Sequence, residues 1–210
     1  MSVPEPILRR IDHALTLKNA ADLKDSVEKI IADLTELRSS NLADPEICYL
    51  LGYCWYIHPD RENNRQVEAR VERELQLATK QEPDFPFAWL YLCHNAYDFN
   101  RYRLAWERAL KVDVNKLSPY YRLKTLEMCL CCKIHLNGLR GCLDDISKFI
   151  VIASREEVQD VWPSEFAKVI TQYVRTIDQA TKRKLDILLK ELDRVGQFGD
   201  WFEGIMEKAK

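Results

Sequence analysis

Four side chains in the middle of this 210-residue sequence are spaced like metal ligands. Cys129, Cys132 and His135 recur every three residues, Cys131 lies among them, and Cys142 follows the turn dipeptide Asn137-Gly138. On a helix that spacing lines up one face, and a hairpin turn would bring the last cysteine back beside the first three. Zinc takes four such sulfur and nitrogen ligands in a tetrahedron. The competing reading is packing: the same stretch is leucine-rich at Leu123, Leu126, Leu130 and Leu136, and cysteine is among the most buried residue types. We adopt packing, so neither metal nor cofactor is expected.

Other chemistry is thinly represented. Cys93-His94 is the one adjacent thiol and imidazole, but neighbours on a helix point in different directions, whereas a nucleophile needs its base within hydrogen-bond reach. Asp144-Asp145 and Glu156-Glu157 are adjacent rather than facing, the first a solvated helix face and the second a helix-start feature. No G-x-S-x-G, P-loop, G-x-G-x-x-G, H-E-x-x-H or EF-hand pattern occurs. Six glycines in the whole chain leave little material for a phosphate cradle. The chain is therefore expected not to be an enzyme, the alternative being an enzyme whose site matches no recognised motif.

The aromatic residues say more. Tyr49, Tyr53 and Tyr56 fall at i, i+4 and i+7 and form a tyrosine stripe, with the alternative that they pack on the helix before them. Farther on, Arg101, Arg103, Arg108, Lys111, Lys116, Arg122 and Lys124 are interleaved with Tyr97, Tyr102, Trp106, Tyr120 and Tyr121. Basic side chains among aromatics are what single-stranded nucleic acid uses, which makes residues 97–124 the basis of an alternative reading. The net charge of −2 and pI of about 6.1 argue against it. Segments 41–84 and 85–142 carry −4 and +5, so an acidic protein partner or the neighbouring acidic segment is the better complement.

The elements that hold these residues read as helices throughout. Ile7, Leu8, Ile11 and Leu15 form one apolar stripe, and Leu23, Val27, Ile30, Ile31, Leu34 and Leu37 a longer one; nothing alternates like a strand. Pro45, Pro86, Pro119 and Pro163 sit at helix-start positions. Asp44 and Ser118 are placed as N-caps, and Ser154 with Glu157 spells a capping box. These starts are 41, 33 and 44 residues apart, each enough for two helices and a turn. The turns fall at His58–Asn64, near Asp98–Arg101, and at Asn137-Gly138. Helices are expected at 163–178, 182–195 and 199–209. The expected fold is all-α, a stack of antiparallel helical hairpins in one domain: an opening hairpin at 1–40, repeat-like hairpins at 45–153 and closing helices at 163–210.

Arg9, Arg10 and Asp12 interrupt the first apolar stretch, so a signal peptide is not expected. The longest apolar run, Phe149–Ala153, is far short of the ~20 residues that span a bilayer. Seven cysteines, an odd number in helical contexts, read as reduced thiols of a cytoplasmic protein.

Ala78, Pro83 and Trp89 resemble the junction between two tetratricopeptide repeats, where a small residue is followed five positions later by proline and six further on by an aromatic. Leu92-Cys93 stands where that family has leucine and a small residue, and Leu51-Gly52 gives the family's dipeptide 41 residues earlier. The seven residues beyond a 34-residue period match the polar loop at 58–64, while Cys48 replaces the family's tryptophan. The resemblance covers residues 45–153. It implies a right-handed hairpin stack whose first helices line a concave surface, placing ligand contacts at Tyr49, Tyr53, Tyr56, Leu90, His94 and Tyr97 and burying Trp89. Arg101 and Arg108 of the basic cluster extend that contact set. The function expected is protein binding without catalysis: a scaffold, a chaperone, or a dedicated inhibitor such as a bacterial toxin immunity protein.

Overall fold

Proline begins helices here because a first-turn N–H has no intrahelical acceptor and the ring already holds a helical φ. The computed structural model describes residues 3–40, 44–155, 163–196 and 201–208, and regular structure among them is entirely helical. The chain divides into two compact units, Met1–Phe99 and Asn100–Lys210. The first holds α1 (Glu5–Ala14), α2 (Ala20–Ser40), α3 (Pro45–Tyr56), α4 (Arg65–Gln81) and α5 (Pro86–Asp98). The second holds α6 (Tyr102–Ala109), α7 (Pro119–Asn137), α8 (Leu143–Ala153), α9 (Ser164–Tyr173), α10 (Gln179–Gly196) and α11 (Trp201–Lys208). No helix among the described residues is long and apolar enough to cross a membrane.

Start signals differ in how they work. Asp44 accepts from the backbone N–H groups of Glu46 at 2.9 Å and Ile47 at 3.3 Å, and Asn64 accepts from Gln66 at 2.9 Å, so α3 and α4 have local caps. Ser118 stands at the N-cap of α7, but its side chain makes no capping bond. Pro163 is the N-cap residue of α9 rather than its first helical residue. Ser154 closes α8 instead of opening a helix, its hydroxyl donating to the Val151 carbonyl at 2.7 Å. Glu156 and Glu157, the remainder of the expected capping box, lie outside the described residues. At Asn137-Gly138 the turn needs glycine, because φ there is +74°.

In the first unit consecutive helices pack on one another, α1 on α2, α2 on α3, α3 on α4 and α4 on α5, and α3 also meets α5. Helix α3 consequently has three faces. Ile47, Leu50, Leu51 and Cys54 join Val27, Ile30, Ile31 and Leu34 in one core. Cys48 joins Val71, Leu75, Ala78, Ala88 and Leu92 in a second. The tyrosines occupy the third and back onto both cores, Tyr49 and Tyr53 against the first and Tyr49 and Tyr56 against the second. The approach of α3 to α4 is closest at Gly52, where an added Cβ would lie 2.6 Å from Leu75 Cγ and Cδ2 and 3.2 Å from its backbone nitrogen. Glu74 of α4 is buried with both neighbouring guanidinium groups on it, Arg38 of α2 and Arg73, the latter forked at 3.1 and 2.5 Å. A buried carboxylate is tolerated on such terms. Trp89 is half-buried rather than enclosed; its indole N–H donates to the Pro83 carbonyl at 2.7 Å, so the Pro83–Trp89 spacing closes the turn before α5.

In the second unit α7 is central, packing on α6, α8 and α9, while α10 packs on α8 and α11, and α9 also meets α11. Phe149, Phe166 and Phe202 link α8, α9 and α11 through ring separations of 6.1 and 5.9 Å. Two helices here are capped from a distance. Glu127 of α7 is 2% exposed, and its Oε1 accepts the N–H groups of Glu165 at 2.9 Å and Phe166 at 3.0 Å, at the start of α9. Lys124 donates to its other oxygen at 2.8 Å. Burial raises the Glu127 pKa above the ordinary glutamate value, with Lys124 and the two backbone donors pulling the other way. Asp193 of α10 accepts the Phe202 N–H at 3.1 and 3.0 Å and opens α11 in the same manner.

Two substitutions test this packing. Gly52→Ala should lower stability, because overpacking against Leu75 costs ~1–3 kcal/mol against ~1 kcal/mol of helix propensity recovered; Gly52→Val should lower it further, as read by chemical denaturation. Glu127→Ala should cost about 2–4 kcal/mol, combining a lost cap with buried N–H groups left unpaired. Glu127→Gln, which keeps an acceptor oxygen, should cost less by the same measurement.

Candidate functional site

The tyrosine face of α3, whose inner edges pack on both cores, meets α5. Tyr49, Tyr53 and Tyr56 form the stripe of α3, and on α5 Phe87, Tyr91 and His94 repeat the same i, i+4, i+7 spacing. The two stripes interlock. Tyr91 sits centrally, with ring centroids 4.7 Å from Tyr53, 5.2 Å from Tyr56, 6.1 Å from Tyr49 and 5.9 Å from His94. Tyr49 lies 5.3 Å from Phe85 and 5.9 Å from Phe87. All seven rings are half-buried: each packs on its neighbours and keeps part of its surface in water. Tilted and edge arrangements at these separations are favourable geometries for aromatic pairs.

Residues 57–64, which connect α3 to α4, anchor one end of this face. Arg61 is buried there, its guanidinium 4.2 Å over the Tyr56 ring and 5.7 Å from Phe99. It donates to Asp98 Oδ2 at 2.8 Å and to Asn95 Oδ1 at 3.3 Å. The Tyr56 hydroxyl donates to the same Asp98 oxygen at 3.0 Å, and Asn95 Nδ2 reaches Glu72 at 3.3 Å. Burial first, and then the Asp98 carboxylate, raises the Tyr56 pKa, so this phenol is protonated at neutral pH.

Of the residues proposed from sequence, the structure brings Tyr49, Tyr53, Tyr56 and His94 into this face. Leu90, 1% exposed, and Tyr97, 9% exposed, point inward instead. Helix α5 turns Phe87, Tyr91 and His94 toward α3, which carries Leu90 and Tyr97 round toward the interior. Phe85, Phe87 and Tyr91 were the residues missed. The signal that reveals Phe87 and Tyr91 is the repeated aromatic spacing, 49-53-56 and 87-91-94, rather than alignment of the two helix starts; Phe85 lies outside that spacing. Arg108 of the second unit is 7% exposed and Arg101 half-buried, so Arg108 presents no surface charge.

The rest of the basic and aromatic segment is also engaged internally in part. Arg122 donates to the Val114 carbonyl at 3.2 Å and Lys124 pairs with Glu127. Tyr102 stacks on His135 at 3.7 Å with ring planes 2° apart. His135 Nδ1 lies 3.0 Å from the Tyr173 hydroxyl, and burial lowers its pKa, which keeps the imidazole neutral at pH 7. Among the described residues, no group of three or more histidine, cysteine, aspartate or glutamate side chains is arranged to hold a metal ion. Cys132 and Cys142 are buried, and burial pushes the Cys129 and Cys142 thiols up to about 12 and about 11. None of the seven cysteines is in a disulfide.

No family model, curated protein or solved structure matches this chain. The tetratricopeptide resemblance therefore rests on the residues quoted for it. An open cleft of about 340 Å³ in the second unit is lined by Arg140, Asp144, Asp178, Thr181 and Lys184. Asp178 is committed there to α10, accepting from the Thr181 N–H at 2.8 Å and hydroxyl at 2.9 Å. The cleft mixes opposite charges with no aimed nucleophile or base, and the aromatic face of α3 and α5 is the better candidate.

Adjacent positions on α5 should separate core from surface. Leu90→Ala should cost ~2–5 kcal/mol as a buried truncation. Tyr91→Ala should cost less, ~1–3 kcal/mol, because a half-buried ring loses only part of its surface along with its aromatic pairing. Urea titrations of the two variants check the contrast.

Proposed function

We propose that this chain is a non-catalytic protein-binding module and that the aromatic face of α3 and α5 is its binding surface. The observation that carries the reading is the matched pair of stripes, which gathers six half-buried rings, with Phe85 beside Tyr49 as a seventh, on one side of the first unit. Tyrosine offers contact area with few torsions to freeze, which is why it concentrates in binding surfaces. Sequential packing of α2, α3, α4 and α5 is consistent with a tetratricopeptide-like hairpin stack, in which first helices carry ligand contacts. The His135 imidazole of the cysteine-rich helix is taken up in stacking on Tyr102, which favours a non-catalytic role. A dedicated inhibitor, for example an immunity protein, a scaffold subunit and a single-client chaperone are the roles such a face serves.

The test is an affinity capture from the source cell lysate with the wild-type chain and with a Tyr53→Ala, Tyr91→Ala double variant. One stoichiometric protein should be retained by the wild type and lost by the variant, with the variant's melting temperature showing that it remains folded. Retention of the same protein by both would overturn the assignment of the surface.

A further inference from the structure

Each aromatic stripe carries a carboxylate in phase with its rings. On α3 the series is Glu46, Tyr49, Tyr53, Tyr56; on α5 it is Phe87, Tyr91, His94, Asp98. Steps of three and four residues keep all members of a series on one helical face. Neither helix contains a lysine or arginine, and residues 1–99 hold 17 acidic against 11 basic side chains, a charge of −6.

One of the two carboxylates already shows what this face accepts. Asp98 takes the Arg61 guanidinium at 2.8 Å while the carbon of the same group lies 4.2 Å from the Tyr56 ring centroid. The other carboxylate has no such occupant: the Glu46 side chain is half-buried and has no ion pair or hydrogen bond among the described residues.

We infer that the face receives an arginine from a basic, extended segment of a partner protein, the guanidinium stacking on Tyr49 and Tyr53 and pairing with Glu46. The inference rests on the reading of this face as the partner surface and specifies its chemistry. Arginine fits better than lysine because a planar guanidinium can stack on a ring and fork onto a carboxylate at once. A purely apolar segment would desolvate Glu46 without pairing it. A phosphate backbone would meet a face with no positive charge in its helices.

The test uses fluorescence anisotropy at physiological salt with three labelled eight-residue probes, in which glycine alternates with arginine, lysine or leucine. Saturable binding of the arginine probe is expected, at least fivefold tighter than the lysine probe and well above the leucine probe. Glu46→Gln and Tyr53→Ala should each weaken it about tenfold or more, while Tyr53→Phe, which keeps the ring, should bind as wild type. Glu36→Gln, the same charge change at an exposed position of α2, should leave binding unchanged, and melting curves confirm that each variant is folded. Absence of saturable binding, preference for the leucine probe, or equal losses from Glu36→Gln and Glu46→Gln would overturn the inference. If the arginine probe fails while the Tyr53→Ala, Tyr91→Ala variant still loses its lysate partner, only the arginine chemistry is wrong. If the lysate partner survives that variant, the surface itself is wrong.

Discussion

The first unit depends on a side chain that is not there. At Gly52 the backbone of α3 comes so close to Leu75 of α4 that even a methyl group would overlap it. That contact fixes the rotation of α3 about its own axis. With Gly52 and Cys48 turned toward α4, the apolar residues Ile47, Leu50, Leu51 and Cys54 are directed at α2, and the remaining face is left to Glu46 and the three tyrosines. The same rotation brings Tyr53 within 4.7 Å of Tyr91. A packing constraint in the core thus determines which aromatic residues stay half-exposed.

Much of the architecture was legible because its signals are local. Proline at Pro45, Pro86 and Pro119 marks helix starts whatever the surroundings, and Asn137-Gly138 marks a turn because few residues other than glycine adopt its φ. The tyrosine stripe of α3 was legible as a periodicity. Its counterpart on α5 was not, because aligning the two helix starts leads to Leu90 and Tyr97, whereas the facing of two packed helices is decided by their rotation in space. Distant caps were equally hidden: nothing near Pro163 announces that its helix is closed by a glutamate 36 residues earlier in the chain.

Charge was the least legible property, because composition counts residues without their partners. The basic and aromatic segment reads as a surface, yet Arg108 is buried, Arg122 holds a carbonyl, Lys124 is paired with Glu127 and Tyr102 lies on a histidine. The polar loop at 58–64 reads as a spacer and instead delivers Arg61 into the groove beside Tyr56. Arg61, Arg122 and Lys124 leave water where an acceptor meets them, since an unmatched charge would cost several kcal/mol. Such groups also make pairing selective: Arg38 with Glu74 fixes α2 against α4, and Glu127 fixes α7 against α9.

The borrowed caps bear on the order in which the second unit assembles. A helix of ten residues is marginal alone in water, and α9 gains its N-terminal acceptor only once α7 is present with Glu127 in place. Because α7 precedes α9 in the chain, synthesis makes the acceptor before the donors that need it, and α10 with Asp193 likewise precedes α11. Assembly can then proceed in the direction of translation, each completed helix serving as the template on which a later one nucleates. The order of acceptor and donor along the chain thus gives the second unit a direction of assembly that its contacts alone do not carry.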